Sequence, residues 1–183
     1  MKKRVLIILV FFFCISTQAQ QKRFNLVIGT YTNSCESKGI YVYDFNTESG
    51  DTQFKSASET SIKPSFLSIS KRNDFVYSVN EDGPNSTVSA FKYDSKSGKV
   101  DLLNKQNVLS SDPCYIIDDE KNVITANYTG GSVAVFGKKT DGSLTELKQL
   151  VQHSGKGINP DRQEKSHLHS VQFSPNRKYV LAT

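Results

Sequence analysis

The sequence predicts an all-β fold, a β-propeller of four-stranded antiparallel blades, because one structural unit recurs along the chain. Each copy has a short apolar strand, a turn, and a second apolar strand that ends in polar residues. Copies open near Pro64, Pro113 and His169, and 49 residues separate the first two. Repeats of about 50 residues that consist of strands are typical of propeller blades.

The segments between these copies complete the blades. A third strand follows each pair at residues 87–94 and 132–136, and a fourth follows at 99–109 and 143–151. Glycines in the intervening tips supply the positive φ that tight hairpins require. Residues 25–60 predict a first blade without its opening strand. We therefore expect one incomplete blade, two complete blades and the inner hairpin of a fourth.

The size of this array predicts a larger protein. A propeller of four to eight such blades needs roughly 200–400 residues, whereas about three and a half blades fit into residues 20–183. We therefore expect residues 20–183 to form the N-terminal part of a longer propeller, and we expect this part alone to be inactive.

The N-terminus predicts export. A basic start at residues 2–4 precedes an apolar run at 5–15, and Thr17 and Ala19 are the small residues before a plausible cleavage point. This pattern is typical of a secretory signal peptide, here residues 1–19, and predicts a periplasmic or extracellular protein.

Charge and cysteine content exclude several classes of function. After loss of the three basic residues of the signal, 20 Lys and Arg face 18 Asp and Glu. This near balance gives no support for nucleic-acid binding, or for membrane binding once the signal is removed. Nothing in the spacing of Cys35 and Cys114 brings them together, so we expect two unpaired thiols. Zinc patterns with four ligands are absent from the sequence.

Topology predicts where a ligand would bind. In an up-and-down blade, the start of strand one and the end of strand two lie at the same end, which we call the mouth. The residues at these positions are polar: Lys63, Asp112, His167 and His169 before strand one; Asn80, Glu81, Asn127 and Tyr128 after strand two; and Tyr31 and Thr32 in the first blade. The long polar loop at 152–166 reaches the same end. A polar mouth on an apolar scaffold is a candidate ligand site.

Within this set, His167 and His169 are the candidate catalytic residues. Side chains at i and i+2 of an extended segment share one side, and an imidazole can serve as general base near neutral pH. A metal site is less supported, since no carboxylate lies at ligand spacing beside the pair. The alternative is that a histidine is held by neighbouring backbone.

The other candidates would bind substrate. Glu81 and Tyr128 have no expected role in a turn and could contact a ligand. Asn80 and Asn127 either bind substrate or close the following turns with their side chains. Arg162 in the long loop either binds an anionic part of the substrate or is a solvated loop charge.

These segments resemble one known family. Residues 29–32, 79–81, 126–133 and the His167–His169 segment that runs into 173–176 are similar to the seven-bladed propeller lactonases of the bacterial 6-phosphogluconolactonase type. The resemblance covers nearly all of residues 20–183, but only about the first half of a family member. The Asn-Tyr-Thr-Gly-Gly-Ser-Val run at 127–133 is its most specific element.

The resemblance implies hydrolysis of a sugar lactone without a cofactor. A histidine, His167 or His169, would activate water, and polar and cationic groups would bind the substrate and the developing oxyanion. This sequence departs from the family in two respects that bear on its activity. The family residues that complete the site follow the Thr183 position. In addition, 6-phosphogluconate chemistry is cytoplasmic, whereas export is predicted here. The alternatives are a non-catalytic exported propeller that binds carbohydrate or protein, and a muconate-type cycloisomerase.

Overall fold

The computed structural model describes residues 22–58 and 61–183, so the predicted signal peptide lies outside the described residues. The described chain is built almost entirely of antiparallel strands, which form four sheets. One short 3₁₀ turn, Gly83–Asn85, interrupts them. None of the described residues forms a helix long and apolar enough to cross a membrane.

The first two sheets are an incomplete and a complete blade. Blade 1 has three strands in spatial order β1 (Arg23–Gly29), β2 (Ile40–Asn46) and β3 (Thr52–Ala57). Blade 2 has four, in the order β4 (Leu67–Ile69), β5 (Phe75–Asn80), β6 (Thr87–Tyr93) and β7 (Val100–Asn107).

The last two sheets repeat the plan. Blade 3 runs β8 (Pro113–Asp118), β9 (Asn122–Asn127), β10 (Ser132–Lys138) and β11 (Leu144–Gln152). Blade 4 is the hairpin of β12 (Val171–Phe173) and β13 (Val180–Ala182). The predicted fold, with one incomplete blade, two complete blades and an inner hairpin, is therefore confirmed.

Apolar side chains pack between successive blades and fix their relative positions. Tyr77 of blade 2 and Phe136 of blade 3 belong to one fully buried cluster between these two blades. A second cluster joins blades 1 and 2 through Ile40 and Val76, and a third joins blades 3 and 4 through Ala126 and Val171. Burial of such side chains is the main favourable term in folding.

A hairpin tip shows how closely the blades approach. Gly142 has φ of +87°, and a Cβ added there would lie 2.1 Å from the ring of Phe75 in the neighbouring blade. The Tyr77 hydroxyl donates a hydrogen bond to the Gly142 carbonyl oxygen at 3.1 Å. Only glycine satisfies both the backbone conformation and the contact at this position.

A buried ion pair within blade 3 also contacts blade 2. The Lys138 ammonium lies 2.7 Å from the Asp118 carboxylate, and their side chains are 10% and 7% exposed. The Ser68 hydroxyl donates to the same carboxylate at 2.6 Å, and the ammonium lies 4.8 Å from the centre of the Tyr77 ring. These partners satisfy charges that would otherwise be costly to bury.

Candidate active site

A cavity of about 420 Å³ opens at the mouth, which is within the range of small-molecule pockets. Its wall comes from three blades and the segment that enters the fourth, and eight residues line it: Tyr31, Ser65, Glu81, Asp112, Cys114, Tyr128, Thr129 and His169. Three of them, His169, Glu81 and Tyr128, are the predicted catalytic or substrate-binding residues, and two more, Tyr31 and Asp112, are predicted mouth residues. The structure therefore brings all five to one wall.

Most of the wall comes from two positions of the repeat. Glu81 and Tyr128 are equivalent, since each donates its backbone N–H to the residue before the proline of its own blade, Lys63 at 3.2 Å and Asp112 at 2.8 Å. Both acceptor residues have positive φ, 45° and 52°. The residue after β1 that lines the cavity, Tyr31, takes this position in blade 1.

The second position is the start of strand one. The hairpins after β4 and β12 match, because Ser70 and Ser174 bond the backbone of Phe75 and Tyr179 in the same way, at 3.0 Å and 2.9 Å. Counting back five residues from each serine gives Ser65 and His169. The residue that follows the proline of blade 3 in this register is Cys114, and all three line the cavity.

Glu81 is held in place by two neighbours. The Tyr31 hydroxyl donates to one carboxylate oxygen at 2.8 Å, and the Ser65 hydroxyl donates to the other. Burial raises the pKa of the Tyr31 phenol, and the hydrogen bond to Glu81 raises it further. Tyr31 therefore stays a hydrogen-bond donor throughout the neutral range, and the carboxylate is fixed from two blades.

His169 presents its ring to the cavity. The side chain is exposed, and its ring meets the Tyr128 ring edge-to-face at 5.4 Å between centres. The backbone N–H donates to the Thr183 carbonyl oxygen at 2.7 Å, which ties the residue to the blade 4 hairpin. Within the described chain, the ring nitrogens of His169 have no hydrogen-bond partner, so they remain available to water and substrate.

His167 lies behind the wall. Its ring stacks on Tyr128 at 4.6 Å, Nδ1 lies 3.1 Å from the Tyr128 carbonyl oxygen, and Nε2 lies 3.1 Å from a Glu164 carboxylate oxygen. The pKa of Glu164 is lowered, first by a bond to its own backbone N–H and then by His167. Both ring nitrogens are thus engaged, which matches the alternative of a histidine held by its neighbours.

The two predicted asparagines also lie behind the wall. Asn80 is 2% exposed and donates to the Ile62 carbonyl oxygen at 2.6 Å, while Asn127 is fully buried and donates to the Ser132 hydroxyl at 2.9 Å. The Ser89 hydroxyl donates to the Asn80 amide oxygen at 2.6 Å. This placement favours a structural role for both amides over substrate binding.

Arg162 is exposed and does not line the cavity. One guanidinium nitrogen lies 3.5 Å from the Tyr128 hydroxyl, which is long for a hydrogen bond. Its binding of an anionic substrate stays a prediction. Among the described residues, no group of three or more His, Cys, Asp or Glu could hold a metal ion.

Sequence reasoning missed three wall residues, Ser65, Cys114 and Thr129. The first two follow the blade prolines, and aligning the repeats by their hairpins rather than by their prolines would have placed them beside His169. Burial and the charge of Glu81 raise the pKa of the Cys114 thiol to about 11, so it is protonated at neutral pH and poorly suited to act as a nucleophile. Cys114 and Cys35 are both free thiols.

Comparison with known proteins agrees with this architecture. The family model "Lactonase, 7-bladed beta-propeller" matches residues 25–183. A 6-phosphogluconolactonase of Bacillus subtilis is 36% identical over 162 residues, which are 85% of this chain and 44% of that protein.

Two solved structures are similar as well. One is a protein of Bacteroides fragilis provisionally assigned as a 6-phosphogluconolactonase, with TM-score 0.86 and 41% identity over 90% of this chain and 46% of that one. The other is the periplasmic gluconolactonase of Pseudomonas aeruginosa, with TM-score 0.81 and 30% identity over 87% and 47%. The chain thus spans less than half the length of each of these proteins. It belongs to the seven-bladed β-propeller lactonase family.

Proposed function

We propose that the full-length protein hydrolyses a sugar lactone, as the names of its relatives indicate, and that His169 is the general base. The observation that carries this proposal is the position of His169, since among the described residues it is the histidine whose ring lines the cavity. Its relatives are a 6-phosphogluconolactonase and a gluconolactonase, so the substrate class is a gluconolactone with or without a phosphate.

The chemistry needs one proton acceptor and donors for an oxyanion. His169 takes a proton from water as the water oxygen bonds to the lactone carbonyl carbon. The ring C–O bond then breaks, and the proton returns to the ring oxygen, which leaves as a hydroxyl group. Tyr128 and Thr129 carry hydroxyl groups on the same wall, and these donors are available to the carbonyl oxygen as negative charge develops.

We further propose that the protein is exported after cleavage behind Ala19. The motive is the basic start and apolar run of residues 1–19, and the periplasmic relative from Pseudomonas aeruginosa supports it. An unphosphorylated lactone would suit that location. N-terminal sequencing of the protein from its native host tests this, and an intact Met1 in the cytoplasm would contradict it.

The two histidines provide a matched test of catalysis. In the full-length protein, His169→Ala should lower kcat on D-glucono-1,5-lactone by about 10²- to 10⁴-fold, the usual contribution of a general base. His167→Ala should lower kcat far less, because its nitrogens face protein groups. Equal loss in both variants would place the chemistry elsewhere. Absence of lactone hydrolysis with retained sugar or protein binding would favour the non-catalytic alternative.

A further inference from the structure

The orientation of the Glu81 carboxylate on the cavity wall is fixed by two hydrogen bonds. Its two oxygens each receive one hydrogen bond, from Tyr31 of blade 1 and from Ser65 of its own blade. A carboxylate has about four acceptor positions, two on each oxygen. One position per oxygen therefore remains for a ligand, and the two neighbours fix the direction in which both oxygens face.

Among the described residues, no basic side chain of the cavity wall pairs with this carboxylate, so a neutral donor can bind it. Lys63, whose carbonyl oxygen accepts the Glu81 backbone N–H, pairs its ammonium with Asp82 at 2.6 Å instead. None of the lysines and arginines in the described chain lines the cavity. The wall has a second carboxylate, Asp112, whose Oδ1 accepts the Gly83 N–H at 2.9 Å. Two carboxylates on one wall repel a phosphate and attract hydroxyl donors.

Two parallel acceptors that lie side by side match a pair of adjacent hydroxyl groups. We propose that Glu81 binds two neighbouring ring hydroxyls of the sugar lactone, and that Tyr31 and Ser65 are positioning residues that orient its carboxylate. The inference rests on the proposed function for the identity of the ligand. It assigns the hydroxylated face of the sugar to this wall and places any phosphate against another part of the complete propeller.

A 1,5-lactone ring makes the test simple. Its adjacent ring hydroxyl pairs are at carbons 2 and 3 and at carbons 3 and 4, so removal of the 3-hydroxyl breaks either pair. The probes are 1,5-anhydro-D-glucitol, which has the same ring but no carbonyl to hydrolyse, and its 3-deoxy analogue. Binding to the full-length protein is measured by calorimetry, which does not depend on catalysis.

We expect Glu81→Gln to weaken binding of 1,5-anhydro-D-glucitol about 10- to 100-fold, as for hydrogen bonds to a charged group. Tyr31→Phe and Ser65→Ala should each weaken it about 3- to 10-fold. With the 3-deoxy analogue one hydroxyl of the pair remains, so Glu81→Gln should weaken binding only about 3- to 10-fold. Glu146→Gln, an exposed carboxylate on β11 away from the cavity, is the matched control and should bind as the unchanged protein does.

Kinetic measurements distinguish a role of Tyr31 in orienting the Glu81 carboxylate from a merely structural role. On D-glucono-1,5-lactone, Tyr31→Phe should raise KM and leave kcat unchanged, because it loosens a ground-state contact that persists in the transition state. Unchanged affinity in Glu81→Gln, an equal loss with the 3-deoxy analogue, or no binding of the sugar to the unchanged protein would overturn the inference. Glu81-dependent binding without hydrolysis would support it and contradict the proposed function instead.

Discussion

The two residues that end strand two in each complete blade are neighbours in the chain but lie in different environments. Asn80 and Asn127 point into the blade and are almost fully buried, whereas Glu81 and Tyr128, one residue later, line the cavity. The buried position is the same residue in both blades, and a serine partner satisfies the amide in each. The exposed position differs from blade to blade. Repetition of a residue therefore marks the scaffold here, and variation at an equivalent position marks the candidate site.

The largest effect should come from a repeated glycine. Gly142→Ala combines a positive φ with a clash against the Phe75 ring, so we expect the free energy of unfolding to fall by about 2–5 kcal/mol. Gly50 occupies a hairpin tip of blade 1 with φ of +77° and no atom within 4 Å of an added Cβ. Gly50→Ala should therefore cost only about 1–2 kcal/mol.

Urea unfolding of the full-length protein measures both glycine variants. If the two lose equal stability, the contact between blades contributes nothing beyond the backbone conformation, and repeated positions would be equivalent in energy as well as in sequence.

The next largest effect on stability comes from comparing the buried Asn127 with its neighbour Tyr128, which lines the cavity. Asn127→Ala removes the buried bonds to Thr125 and Ser132, so we expect a loss of about 1–3 kcal/mol in the free energy of unfolding. Tyr128→Phe removes only the long contact from Arg162 and should change stability by less than about 0.5 kcal/mol. Thermal denaturation measures both, and a larger loss in Tyr128→Phe would contradict the division between scaffold and site.

The smallest effect concerns the chemistry of the cavity wall. Burial disfavours the thiolate of Cys114 and raises its pKa to about 11, so the thiolate fraction should increase with pH up to that value. In a Cys35→Ser background, alkylation of folded protein by iodoacetamide should accelerate about tenfold between pH 8 and pH 9 and continue to rise. A rate that levels off near pH 9 would show a thiol in ordinary contact with water.

The fold could be predicted from the sequence because strand alternation and turn residues recur at a fixed period. The exact extent of strands could not, since it depends on local turns. Strand β4 covers only Leu67–Ile69, whereas the apolar pattern predicts a strand over residues 64–70. The Ser65 N–H instead bonds the Lys63 carbonyl oxygen at 2.9 Å in a turn, so the ladder begins later.

The sequence predicts where the candidate site lies, but it identifies only some of the residues that line it. Polarity at strand ends indicates His169, Glu81 and Tyr128, and all three line one cavity. The pairing of His167 with His169 assumes an extended segment, but no strand forms directly before Val171, and His167 is engaged by Tyr128 and Glu164. Whether the hydrogen-bonding atoms of a polar side chain are engaged by neighbouring protein groups depends on long-range packing, which the repeat pattern does not encode.

The contact between the long loop and Tyr128 has a mechanical consequence. Glu164 belongs to the loop, its carboxylate meets His167, and the ring of His167 is the surface on which Tyr128 rests. The loop is thus coupled to the wall rather than hinged independently of it. Any displacement that keeps the Glu164 contact must carry His167 along and withdraw support from one face of Tyr128. Displacement of the loop and a change in this part of the cavity wall are therefore one coupled motion.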